Sequence, residues 1–177
     1  MENRIGFGLR LGAFLIDLVL IAVITFILTT VLGIGGMAAG AAAGGSDDFG
    51  ALAGATTGFL AGIMAAMLMA SIISAVWFLL EGLVGFTIGK LIVGIQIGND
   101  DGTKAGTGKL LLRYAIKNIS FLLGIIATLT SVMAIRTLGN ILGLVVFIGL
   151  FFVLGAKKQA FQDMIAKTAV YKRSAIK

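Results

Sequence analysis

Residues 11–32 form a run of Leu, Ile, Val, Phe, Ala, Gly and Thr that carries a single charge, Asp17. A helix needs about 20 predominantly apolar residues to cross a bilayer, so this run is long enough. An aspartate near the middle of a membrane helix costs roughly 2.5–3.5 kcal/mol on insertion scales, and such residues mark functional sites by default. Arg10 lies seven positions earlier, on the same helix face and about two turns away. The start of the chain, a basic lead followed by an apolar run, has the outline of a signal peptide. Asp17 inside the run argues instead for a retained membrane helix.

Composition extends this reading to the whole chain. Of 177 residues, 59% are hydrophobic, and mean hydropathy is +1.09. An ordinary soluble domain is nearer half apolar. There is no Cys and no His. Disulfides, thiol chemistry, zinc sites with sulfur or nitrogen ligands and His-based triads are therefore excluded. With no Pro and 26 Gly, breaks in the membrane helices are expected at Gly.

The chain is read as an all-α integral membrane protein with four transmembrane helices, at about 11–32, 52–80, 110–130 and 138–154. These are joined by an outer Gly/Ala-rich segment at 34–58 and a cytoplasmic loop at 81–109 containing a short extended segment. A cytoplasmic tail follows at 155–177. Of the 14 basic residues, 13 fall on one side of this arrangement and only Arg136 on the other. The positive-inside rule then places both termini in the cytoplasm, in a bacterial inner membrane. The same charge excess favours anionic lipid headgroups as partners. Nucleic acid is not expected as a partner, because the charges flank the spans and lack interleaved aromatics.

Small residues recur every fourth position from Ser46 through Gly50, Gly54, Gly58 and Gly62 to Ala66, Ala70 and Ser74. Gly36, Gly40 and Gly44 continue the spacing before the turn. Such a stripe lets membrane helices approach backbone to backbone, either in a close hairpin or at an oligomer seam. Gly54, Gly58 and Gly62 are its expected centre. The competing reading of 34–58 is a flexible, low-complexity loop.

Other features read as structural. Gly106-Thr107-Gly108-Lys109 resembles the end of a phosphate loop, but Thr103 stands where its first Gly should be and Leu110 where Ser or Thr should be. Asp47-Asp48 and Asp100-Asp101-Gly102 are too sparse for a calcium loop and read as turns. Glu81 reads as a helix-end charge reaching water, Trp77 as an interfacial anchor and Met64, Met67 and Met69 as packing filler. The apolar stretch 91–97 suits a short strand, with 168–171 as a candidate partner. After the last span, Gln159, Gln162 and Asp163 share a face of a basic amphipathic stretch suited to the cytoplasmic interface. That depth makes an Arg10–Asp163 ion pair reasonable, with Asp17 one or two turns deeper. The three form a candidate ion-pathway or structural triad.

At these residues the chain resembles the RDD family of small bacterial membrane proteins, named for one Arg and two Asp. The first signature is similar to Arg10-Leu11-Gly12-Ala13-Phe14-Leu15-Ile16-Asp17. The middle one is similar to Thr87-Ile88-Gly89-Lys90, Val93-Gly94, Asp101-Gly102 and Arg113. The last runs from Gln159 through Gln162, Asp163 and Lys167 to Thr168. The resemblance implies secondary roles for Gly89, Lys90, Asp101, Gly102, Arg113, Gln162 and Thr168. The family pattern has His where this chain has Gln162, Pro at Ile88 and Gly at Lys167. The missing His tells against a proton relay at that position. The resemblance also implies an association with transport, including cation/proton antiport.

The expected function is therefore cation- or proton-coupled transport by a homo-oligomer, since four spans are few for a pathway. In that reading Asp17 exchanges proton for cation. The alternative is a non-catalytic scaffold or accessory subunit in which the Arg/Asp cluster locks the spans together. An enzyme is not expected: without His or Cys only carboxylates and hydroxyls remain, and Asp17 and Asp163 lie at different depths. No cofactor or metal is expected.

Overall fold

The computed structural model describes residues 3–176, and three quarters of the chain is helical. Helix α1 runs Phe7–Ala43 and α2 Asp48–Val84, each 37 residues. The short α3 (Ile88–Val93) leads into strand β1 (Ile95–Asn99). Three further helices follow: α4 (Thr107–Lys117), α5 (Ile119–Thr130) and α6 (Met133–Gly149). A 3-10 turn at Leu150–Leu154 extends α6, and the chain closes with α7 (Phe161–Ile165) and strand β2 (Thr168–Lys172). Two compact units emerge: one is Ile16–Trp77, the other joins the chain up to Leu15 with everything from Phe78 onward.

Among the described residues, three helices are long and apolar enough to cross a membrane: Phe7–Ala43, Asp48–Val84 and the continuous Met133–Leu154. A fourth span exists only if α4 and α5 count together, and these meet at a 73° bend. The span expected at about 110–130 is thus a bent pair of helices, not one continuous helix. Alone, the 12 residues of α5 extend about 18 Å, well short of the ~30 Å hydrocarbon core. The break falls at Asn118 rather than at a glycine. Its side-chain amide donates to the Tyr114 carbonyl at 2.8 Å, beside its own backbone N–H, which donates to the same oxygen at 3.0 Å.

In Ile16–Trp77 the Gly/Ala-rich segment is helical almost throughout, with a turn only between Ala43 and Asp48. At 37 residues each helix is about 55 Å long, so the pair outreaches a bilayer core. The stripe of small residues is the line along which they meet. A Cβ on Gly36 would strike the Gly58 carbonyl, one on Gly40 the Gly54 carbonyl, and one on Gly62 the Leu32 carbonyl, all well inside 3.0 Å. Only glycine permits backbones this close. Met64, Met67 and Met69 point outward, 67%, 59% and 46% exposed, so they cover the outer surface rather than fill a core.

The other unit has a small buried core of Ile5, Ala13, Ile95, Ile97, Ala105, Leu110 and Val170. Strands β1 and β2 pair antiparallel, with Ile97 opposite Val170 and Asn99 opposite Thr168. The extended segment expected at 91–97 begins later, at Ile95. Residues up to Val93 are helical, started by Thr87, whose hydroxyl accepts from the Lys90 amide, and ended by Gly94. The sheet matters because it brings the tail, and with it Asp163, back against the residues that follow α2.

Candidate functional site: a buried network of four cations and two carboxylates

Asp163 lies in the first turn of α7 and is fully buried. Arg10 Nη1 donates to its Oδ2 at 2.5 Å, and Arg113 Nε to its Oδ1 at 2.6 Å. The Ala160 amide adds a third donor, at 3.2 Å to Oδ2. Arg10 is held in turn: its Nε donates to the Ile5 carbonyl at 3.1 Å and its Nη2 to the Lys158 carbonyl at 2.7 Å. The structure thus joins Arg10 and Asp163 directly and adds Arg113 between them and a second acid.

That acid is Glu81. The expectation of a solvated helix-end charge is overturned, for Glu81 is only 2% exposed. Its Oε1 receives Arg113 Nη1 and Lys90 Nζ, the latter at 2.9 Å, and its Oε2 receives Lys117 Nζ at 2.8 Å. The physical reason is the cost of a buried carboxylate, which only paired cations offset. Arg113 and Lys117 sit four apart on one face of α4 and supply two of them. Arg113 is the hub because a planar guanidinium can serve two carboxylates along different N–H directions, which an ammonium cannot do as rigidly. The network ties together the start of α1, the end of α2, α3, α4 and α7.

The electrostatics follow from burial. For Lys90, loss of solvent outweighs the attraction of Glu81, and its pKa falls from 10.5 to about 8. For Asp163, burial alone would raise the pKa. The guanidiniums of Arg113 and Arg10 outweigh it and hold the carboxyl below its ordinary value. Four cations face two carboxylates, so the cluster carries a formal excess of two positive charges.

Asp17 lies in Ile16–Trp77 and is 2% exposed. Trp77 Nε1 donates to its Oδ1 at 2.9 Å, so this indole is a hydrogen-bond donor to a buried acid.

The secondary residues divide by role. Gly89 and Lys90 are buried in α3. Asp101 is exposed and shapes its own turn: Oδ1 accepts from the Thr103 amide at 2.9 Å and the Thr103 hydroxyl at 2.6 Å. Those two bonds lower its pKa. Gly102 supplies the left-handed φ of 82° that completes the turn. Asp100, not singled out from sequence, is the busier neighbour. Its carboxylate accepts from Gln159 Nε2 and pairs with Arg4 at 3.4 Å, while its carbonyl accepts from Tyr171 at 2.9 Å. Gln159 also donates to the Thr168 carbonyl at 2.8 Å, and the Thr168 hydroxyl lies 3.5 Å from the Asp163 carbonyl. Gln162 is buried, and its Oε1 is the one buried side-chain acceptor without a partner among the described residues. Gly54, Gly58 and Gly62 lie in the α1–α2 seam.

Glu81 had a signal that could have found it: it is the only acid between Phe49 and Asn99. Among the basic residues around it, Lys90, Arg113 and Lys117 needed anionic partners if any of them was to be buried.

No curated protein and no solved structure matches the chain. The model of the RDD family matches residues 4–167, from Arg4 in the lead to Lys167 beyond the buried Asp163. The apolar helices and this match together make it a membrane protein, and the chain belongs to the RDD family.

Proposed function

We propose that the protein is a cation- or proton-coupled transporter of the bacterial inner membrane, working as a homo-oligomer, in which Asp17 is the exchangeable carboxylate and the Arg10–Asp163–Arg113–Glu81 network is its structural clamp. The observation that carries this reading is the burial of Asp17, a carboxyl inside an apolar membrane-length helix. Each oxygen of Glu81 and Asp163 is held by at least one cation, so displacing them would strand buried positive charge. Asp17 is a buried carboxyl within an otherwise apolar length of α1, and the Trp77 indole N–H is among its donors. An indole N–H can donate to a protonated or an ionised carboxyl, so the Trp77 bond is compatible with proton exchange at Asp17.

In this arrangement both termini and the clamp face the cytoplasm, and the turn between α1 and α2 faces outward. The bent α4–α5 pair serves as the remaining span. No reaction chemistry is assigned, so the protein is not an enzyme in this reading. The second reading is a scaffold or accessory subunit, and it draws on the saturation of the same clamp.

Purified protein in sealed vesicles decides between the two. With a proton or cation gradient imposed, wild type should move ions and Asp17→Asn should remain folded yet move none. Full transport by Asp17→Asn would remove Asp17 as the coupling group. No ion movement by wild type at any pH would leave the scaffold.

A further inference from the structure

Away from the clamp, a cleft of about 510 Å³ opens where α2 ends. That volume lies within the ~300–1,000 Å³ range of ligand sites. One wall is apolar: Leu83 and Val84 are 44% and 42% exposed, and Leu79 and Leu80 continue the same face one turn up the helix. Lys104 and Arg173 line the same cleft. Among the described residues no acid lines the cleft, and neither cation makes an ion pair. Arg173 is nonetheless positioned, with its guanidinium 5.4 Å from the centre of the Phe86 ring. Two unneutralised cations beside an apolar wall that runs up a membrane-length helix match an amphiphile with an anionic head.

We propose that this cleft is a specific site for one anionic diacyl phospholipid, its phosphate held between Lys104 and Arg173 and its acyl chains laid along Leu83, Val84, Leu79 and Leu80. Charge complementarity and the apolar wall both enter the argument: a soluble phosphate would use only the first, a zwitterionic lipid mainly the second. The Thr107 end of α4 lines the same cleft, and Gly106 before it carries no side-chain cap, so its amides add favourable partial charge for the head. The site differs from the diffuse attraction of basic loops to an anionic leaflet, because it depends on two particular cations and one particular wall. It does not depend on whether the protein transports ions.

The test is native mass spectrometry of the detergent-solubilised protein, titrated with phosphatidylglycerol, phosphatidylcholine or glycerol 3-phosphate. Wild type should retain one phosphatidylglycerol in preference to phosphatidylcholine. Lys104→Gln with Arg173→Gln should weaken that retention about thirtyfold, at roughly 1 kcal/mol for each basic residue. Lys157→Gln with Lys172→Gln removes as much charge from exposed positions outside the cleft and should leave it unchanged. Val84→Trp fills the apolar wall without touching charge and should also weaken it. Equal weakening by the two double variants would overturn the proposal in favour of diffuse attraction. Displacement of the lipid by equimolar glycerol 3-phosphate would overturn it in favour of a soluble-anion site. Unaltered retention by Val84→Trp would remove the acyl wall from the argument and the proposal with it.

Discussion

Gly35 and Gly36 are neighbours on α1 and make opposite demands on an added methyl group. A Cβ on Gly35 meets nothing within 4 Å. A Cβ on Gly36 would strike the Gly58 carbonyl oxygen, lie 3.0 Å from its carbon and 3.3 Å from the Gly62 Cα. All three atoms are backbone of the facing helix, so none can rotate aside. To bring these contacts to ordinary separation the two helices must part by on the order of 1 Å, and the Gly40–Gly54 contact loosens with them. Overpacking of this kind costs about 1–3 kcal/mol. Replacing Gly by Ala inside a helix returns up to about 1 kcal/mol in propensity, but it returns the same amount at both positions. The difference between the two variants therefore isolates the packing term, about 1–3 kcal/mol against Gly36→Ala. Gly58→Leu, which places four carbons where the structure has no room for one, should be worse than either. The assay is thermal unfolding in detergent followed by helical circular dichroism, with Gly35→Ala as internal control. If Gly36→Ala melts at or above Gly35→Ala, or Gly58→Leu melts like wild type, the close seam is wrong and the segment behaves as a loop.

Three other outcomes follow from the clamp and the topology. Glu81→Ala strands Lys90 and Lys117 and leaves Arg113 with Asp163 alone, and should destabilise by about 3–5 kcal/mol in a denaturation series; a change within about 0.5 kcal/mol would restore the solvated helix end. Asp163 has a folded pKa below its unfolded value of about 3.9, so the folded state binds fewer protons. Its stabilisation is fully present above the unfolded value and disappears as pH falls through the lower folded one. The acid limb of the melting curve should flatten in Asp163→Asn, and an unchanged limb would contradict the pairing. Because the chain has no cysteine, single cysteines report sidedness cleanly. Ser46→Cys, in the α1–α2 turn, should react with an impermeant thiol reagent added outside cells, and Ser174→Cys should not; the reverse pattern would invert the proposed orientation.

Features set by neighbours along the chain are legible in the sequence itself. The membrane character follows from apolar runs whose length matches a bilayer. The small-residue spacing marks a line of close approach, and the fold makes that line the seam of the α1–α2 hairpin. The sheet is legible only in part: the apolar stretch 91–97 overlaps β1 from Ile95 onward and 168–171 covers most of β2, but residues 91–93 are helical. The pairing of Arg10 with Asp163 is legible from the amphipathic stretch that carries the acid.

Tertiary structure alone decided the rest. Glu81 and Lys90 are nine residues apart in sequence, and a charge near a helix end is equally compatible with water and with burial. What buries Glu81 is the return of α4, more than thirty residues later, with Arg113 and Lys117 on one face. The α4–α5 bend is equally non-local in origin, because the apolar count across 110–130 does not register that α4 must keep its basic face in the clamp while α5 turns away. Periodicity records which side of an element is apolar. It does not record which distant group arrives to neutralise a charge, and that arrival determines whether the charge is solvated or locked in a network.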